Sequence, residues 1–110
     1  MSRPSLADHE LAGPLARLRE REDALLRRYL AMLEMQKRAI EEVDLSRVEY
    51  SLRLERTIIE DLEALAAVHF PGFSAEERPA DTEALFESVR DAHRRNREPL
   101  AKVSADTARR

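Results

Sequence analysis

Apolar residues recur at steps of three and four along most of this chain, and the recurrence breaks in three places. Leu15, Leu18, Leu25, Tyr29, Met32 and Ile40 fall on one seam that Glu22 and Gln36 interrupt. Leu26, Leu33 and Ile40 form a second row beside it. Such steps place side chains on one face of a 3.6-residue helix. Two rows make a stripe wider than a coiled-coil seam, suited to packing against more than one neighbour. Val48, Leu52, Ile59, Leu62 and Ala66 make a second seam, flanked by Leu54, Ile58, Leu65 and Val68. Glu55 lies within that second seam. It is expected either to be paired, with an Arg of the first helix as one candidate, or to face a splayed, wet part of the bundle.

The breaks carry their own chemistry. At Gly13-Pro14 the first long helix is expected to start or to kink, because proline fits the first turn of a helix and not its interior. Between the two seams, Ser46-Arg47-Val48-Glu49 reads as a capping box, and Asp44 is a competing N-cap. A capped restart so soon after a long helix predicts a tight αα-hairpin. An unbroken helix is the alternative, since neither Gly nor Pro stands at the joint; it would leave its apolar stripe uncovered. Phe70-Pro71-Gly72-Phe73 ends the second helix, with both phenylalanines expected to fold back onto the end of the bundle. Ser74-Ala75-Glu76-Glu77 is expected to give one helical turn at most.

A third helix is expected from Asp81 or Thr82, with Leu85, Phe86, Val89, His93 and Asn96 along one side. Pro99 should kink or break it, and Leu100 and Val103 extend the same side beyond. The predicted architecture is therefore all-α: one domain over 1–110, an elongated antiparallel three-helix bundle built on a long αα-hairpin. Its helices are expected at about 14–43, 46–69 and 82–98, with 1–4 and 104–110 disordered.

Composition narrows the function classes. Charged residues make up 37% of the 110-residue chain, above the roughly 25% of an average protein, which fits a thin core. There is no Cys, so disulfide and thiolate chemistry are excluded and a reducing compartment is compatible. No apolar run approaches the roughly 20 residues that span a bilayer, and a cytoplasmic location is the expectation. Net charge is −3, with nine acids against four bases in 44–81. Arg90, Arg94, Arg95 and Arg97 lie among Glu87, Asp91 and Glu98 with no aromatic stacking platform, so a solvated face is preferred to a nucleic-acid surface.

Candidate chemistry is sparse. His9, His69 and His93 fall in separate segments without metal-ligand spacing. His93 is expected to be a half-buried polar residue. The carboxylate pairs Glu41/Glu42, Glu60/Asp61 and Glu76/Glu77 are sequence neighbours and diverge on a helix. There is no phosphate loop and no nucleophile elbow. The expectation is no enzyme, no cofactor and no metal, but binding through helices. Either the apolar side of the third helix closes the core or it forms part of a groove for a partner helix.

Three stretches resemble the FlgN-type flagellar export chaperones. They are the Leu-rich helix passing into Gln36-Lys37-Arg38-Ala39-Ile40 with an acidic break at Asp44, the return Leu54–Leu65, and Val89–Leu100, where an Asn-bearing helical turn leads into Leu. The resemblance spans roughly residues 15–103. It implies a cytoplasmic chaperone that binds amphipathic terminal helices of hook–filament junction proteins and delivers them to the flagellar export gate. The client surface it implies, by position, is Leu85, Phe86, Val89, His93, Asn96, Leu100 and Val103. A self-associating coiled-coil adaptor, with a possible homodimer, is the alternative that the Leu15–Ile40 seam suggests.

Overall fold

The computed structural model describes residues 6–108, with side chains for 12–105. It contains three helices: α1 (Leu6–Glu41), α2 (Leu45–Ala66) and α3 (Ala80–Ala108). Helix α1 is the centre, and both other helices pack along it while scarcely approaching each other. Cross-contacts set the directions. Gln36 meets Ser51 and Tyr29 meets Glu55, so α2 runs back along α1. Thr82 meets Asp23 and Asn96 meets Leu33, so α3 runs parallel to α1. The result is the expected all-α, antiparallel three-helix bundle, 69 × 21 × 17 Å in extent.

The two rows predicted on the first helix serve two neighbours. Leu26, Leu33 and Ile58 are fully buried, and Tyr29, Met32, Val89 and Ala92 complete the central core. Each full burial of a large aliphatic side chain is worth roughly 1.5–3 kcal/mol.

The α1–α2 joint is a hairpin without glycine. Val43 takes a φ of 52°, the left-handed conformation that usually follows a helix as glycine. The Asp44 amide donates to the Ala39 carbonyl at 2.8 Å and the Val43 amide to that of Ile40 at 3.1 Å. This bond pair closes α1. Asp44 then caps α2, its carboxylate accepting from the Arg47 amide at 3.2 Å. The Ser46 box is thus superseded: the chain is already extended at Asp44, and α2 begins at Leu45 before the box can form. The left-handed turn at a β-branched residue costs roughly 1–2 kcal/mol.

Helix ends differ from the expected bounds. Helix α1 continues back through Pro14 to Leu6, α2 stops at Ala66, and α3 passes through Pro99 to Ala108. Neither a break after 98 nor disorder over 104–108 is present. The physical reason is exposure: the Pro99 ring lies on the solvent side of α3, so the Arg95 carbonyl that loses its helical donor is open to water. The expected disorder of 1–4 and of 109–110, and Ser5 as a cap, lie outside the described residues.

Candidate helix-binding trough

One end of the bundle is closed by the α2–α3 connection, residues 67–79. Phe73 is buried with Leu25 and Leu65, and Phe70 packs beside them, as the aromatic pair predicted. Gly72 has a φ of +83°, and a Cβ there would stand 2.9 Å from the Leu15 side chain, so the turn needs glycine. Arg19 donates to the carbonyls of Gly72 (2.9 Å) and Ser74 (3.0 Å) while its guanidinium lies 4.6 Å over the Phe73 ring. Glu22, the first polar interruption of the seam, is buried between Arg19 at 2.8 Å and Arg78 at 3.4 Å. Arg78 in turn lies 4.0 Å over Phe86 of α3. The expected turn at Ser74 is present, with the Ser74 hydroxyl donating to Glu77 at 2.8 Å.

The other half is held by polar bonds. Gln36, the second interruption, donates to the Ser51 hydroxyl at 3.2 Å, and that hydroxyl donates to the Val48 carbonyl at 2.6 Å. The Asn96 amide donates to the Gln36 carbonyl oxygen at 3.0 Å and to the Leu33 carbonyl at 2.9 Å. One buried polar side chain from each helix therefore meets in a single layer. About two turns back along α1, the Tyr29 hydroxyl donates to Glu55 at 2.7 Å, and His93 Nε2 stands 3.6 Å from the same carboxylate oxygen. Glu55 is thus paired as one expectation had it, but with a tyrosine rather than an Arg of α1. Burial first, and then the Glu55 carboxylate as acceptor and as negative charge, push the Tyr29 phenol well above its ordinary range.

Because α2 and α3 meet α1 but hardly each other, a trough runs between them in this half. Tyr29 and Gln36 form its floor. Glu55 and Ile59 wall it on the α2 side, and Val89, His93 and Arg97 on the α3 side, continuing to Leu100 and Ser104. Two hollows make it up, and they share His93 and Arg97, so it is continuous over several turns of α3.

The residues expected to bind a partner separate on this geometry. Val89 and Asn96 are buried against α1, and Leu85 and Phe86 pack onto the central core, so the middle of that face closes the bundle. His93 is more exposed than expected, its side chain 53% accessible, and it lines the trough with Leu100. Val103 is half-buried near the end of α3. The sequence reading placed Leu52 and Ile59 in the packing seam of the second helix and not among the partner-binding residues. Ile59 lines the hollow, and Leu52, seven residues before it on the same helical stripe, is 37% exposed, whereas Ala66, seven residues beyond, borders a separate hollow at the closed end. That heptad spacing, to one side of the buried Val48–Ile58–Leu65 face, was the available signal.

Among the described residues no helix is long and apolar enough to cross a membrane, and no three His, Asp or Glu side chains gather as a metal site. Comparison of the chain with protein-family models, curated proteins and solved structures gives no match.

Proposed function

We propose that this chain is a helix-binding protein that shelters an amphipathic segment of a client. In the finer reading suggested by its FlgN-like stretches, it is a cytoplasmic export chaperone for hook–filament junction proteins, which it passes to the export gate. The observation that carries the proposal is the open trough. A fourth helix laid between α2 and α3 would complete a four-helix bundle and cover Leu52 and Ile59. The protein would act by covering apolar surface, with no bond chemistry and no cofactor. The self-associating coiled coil draws little support from the Leu15–Ile40 seam, because α2 and α3 already occupy it.

The test is capture of a junction protein by the tagged full chain. Wild type should retain the client, whereas Leu52→Lys, at an exposed site, should lose it with an unchanged circular dichroism spectrum. Retention by Leu52→Lys and by Ile59→Lys alike would contradict the trough, and failure of wild type to retain any junction protein would contradict the chaperone reading.

A further inference from the structure

The trough has a charge of its own. Arg90, Arg94 and Arg97 stand at i, i+4 and i+7 on α3, and all three line the hollow over Tyr29, Ile59 and Val89. Among the described residues lining either hollow, Glu55 is the sole acid, and it is engaged by Tyr29 with His93 beside it. The lining therefore has a positive excess in a chain whose net charge is −3. Arg90 pairs with Glu87, and Arg94 with Asp91 at 3.5 Å; both acids are three residues back and exposed. Arg97 forms no ion pair among the described residues. The row rises roughly 10 Å along α3, and the apolar side chains of Ile59 and Val89 line the same hollow.

We infer that the occupant of the trough is an amphipathic helix whose apolar stripe is bordered by Asp or Glu at i, i+4 and i+7. This rests on the helix-binding reading and adds the chemistry of the partner. Carboxylates at that spacing on a helix lying alongside α3 meet the three guanidiniums in register, while its apolar stripe covers Ile59 and Leu52. Arginine suits the role, since its planar fork binds a carboxylate through two bonds. Nucleic acid fits less well: the apolar lining is aliphatic (Ile59, Val89 and Leu100), and the one aromatic, Tyr29, is 6% exposed and bonded to Glu55, so it offers no stacking face.

Two labelled peptides test this against the full chain by fluorescence anisotropy at low salt. They share one Leu/Ile face and differ in carrying Glu or Lys along its border. The Glu-bordered peptide should bind about tenfold more tightly, the sum of three exposed ion pairs, and the gap should narrow as salt is raised. The triple variant Arg90→Glu, Arg94→Glu, Arg97→Glu should invert the preference. Because Arg90 also lies 5.9 Å from the Phe86 ring, Arg94→Gln with Arg97→Gln is the milder check and should narrow the gap. Equal binding of both peptides, lost on Leu52→Lys, would leave the trough in place and overturn the acidic occupant. Binding of neither peptide would overturn both readings. Equal or tighter binding of an oligothymidylate, dependent on the arginines but not on Leu52, would replace the helix with a nucleic acid.

Discussion

The two halves of the bundle are held in different ways, and the difference is where the proposed binding trough opens. Around Arg19, Glu22 and Phe73 the ends of α2 and α3 are joined by a connection lashed to α1. Ion pairs there are part-buried, aromatic rings lie under guanidiniums, and glycine permits a close approach. Around Gln36, Ser51 and Asn96 each outer helix is tied to α1 by hydrogen bonds, and the polar contact between the outer pair is the His93–Glu55 approach. The first half is built to stay shut. The second keeps two helices in register while leaving the space between them free.

The largest effect expected from breaking this contrast is at the closed end. Glu22→Ala removes the buried carboxylate shared by two part-buried guanidiniums, leaving Arg19 its carbonyl bonds and Arg78 the more exposed Glu83, and should cost about 3 kcal/mol in a urea unfolding experiment. A cost near zero would mean that the cluster is solvated and the closed end is not what holds the bundle. Asn96→Ala should come next, at about 2 kcal/mol, by leaving the Leu33 carbonyl and the Gln36 side chain short of a donor. Replacing the whole layer, with Gln36→Leu, Ser51→Ala and Asn96→Leu, should be milder than the single change, because no buried polar side chain is left without its partner, and only the Leu33 and Val48 carbonyls lose a second donor. A large loss in the triple variant would show that the layer contributes more than mutual satisfaction.

The Tyr29–Glu55 bond gives a pH signature. The folded phenol holds its proton more tightly than the unfolded one, so its contribution is fully present below the ordinary tyrosine value of about 10. Stability should therefore fall as pH rises above that value. Tyr29→Phe should lose about 1 kcal/mol at neutral pH and show a shallower decline in alkali. An unchanged slope would place the titration elsewhere. The smallest effect is a gain: Val43→Gly should raise stability by about 0.5–1 kcal/mol, relieving the left-handed strain at a 63% exposed side chain, less the entropy of a freer unfolded chain. A loss would mean that Val43 packs against something not seen here.

Much of this was legible before the structure. Periodicity named the seam of α1; on α2 the buried face is Val48, Ser51, Ile58 and Leu65, so of the expected main seam Val48 alone is buried, while Leu52 and Ala66 are exposed. The two polar residues interrupting the α1 seam, Glu22 and Gln36, proved to anchor the two halves. Their partners were not legible, because Arg78 and Asn96 lie more than fifty residues away and periodicity defines faces without saying which faces meet. The joint was found and Asp44 was one of its two candidate N-caps, but the turn before it was not foreseen, since it depends on Val43 adopting a conformation that its side chain disfavours. Pro14 was read as the start or a kink of its helix and Pro99 as a kink or break; at Pro99, an exposed position, water can serve the orphaned carbonyl. The trough escaped notice because it belongs to no single helix. It exists where two helices share a third and scarcely approach each other.

Nuclear magnetic resonance of the isotopically labelled chain, titrated with the amphipathic terminal helix of a hook–filament junction protein, probes that space most directly. Amide shifts should concentrate at Leu52, Glu55, Ile59, His93, Arg97 and Ala101, with Ser88, Asp91 and Arg95 on the opposite flank of α3 silent. Shifts centred on that opposite flank, or none at saturating peptide, would contradict the account.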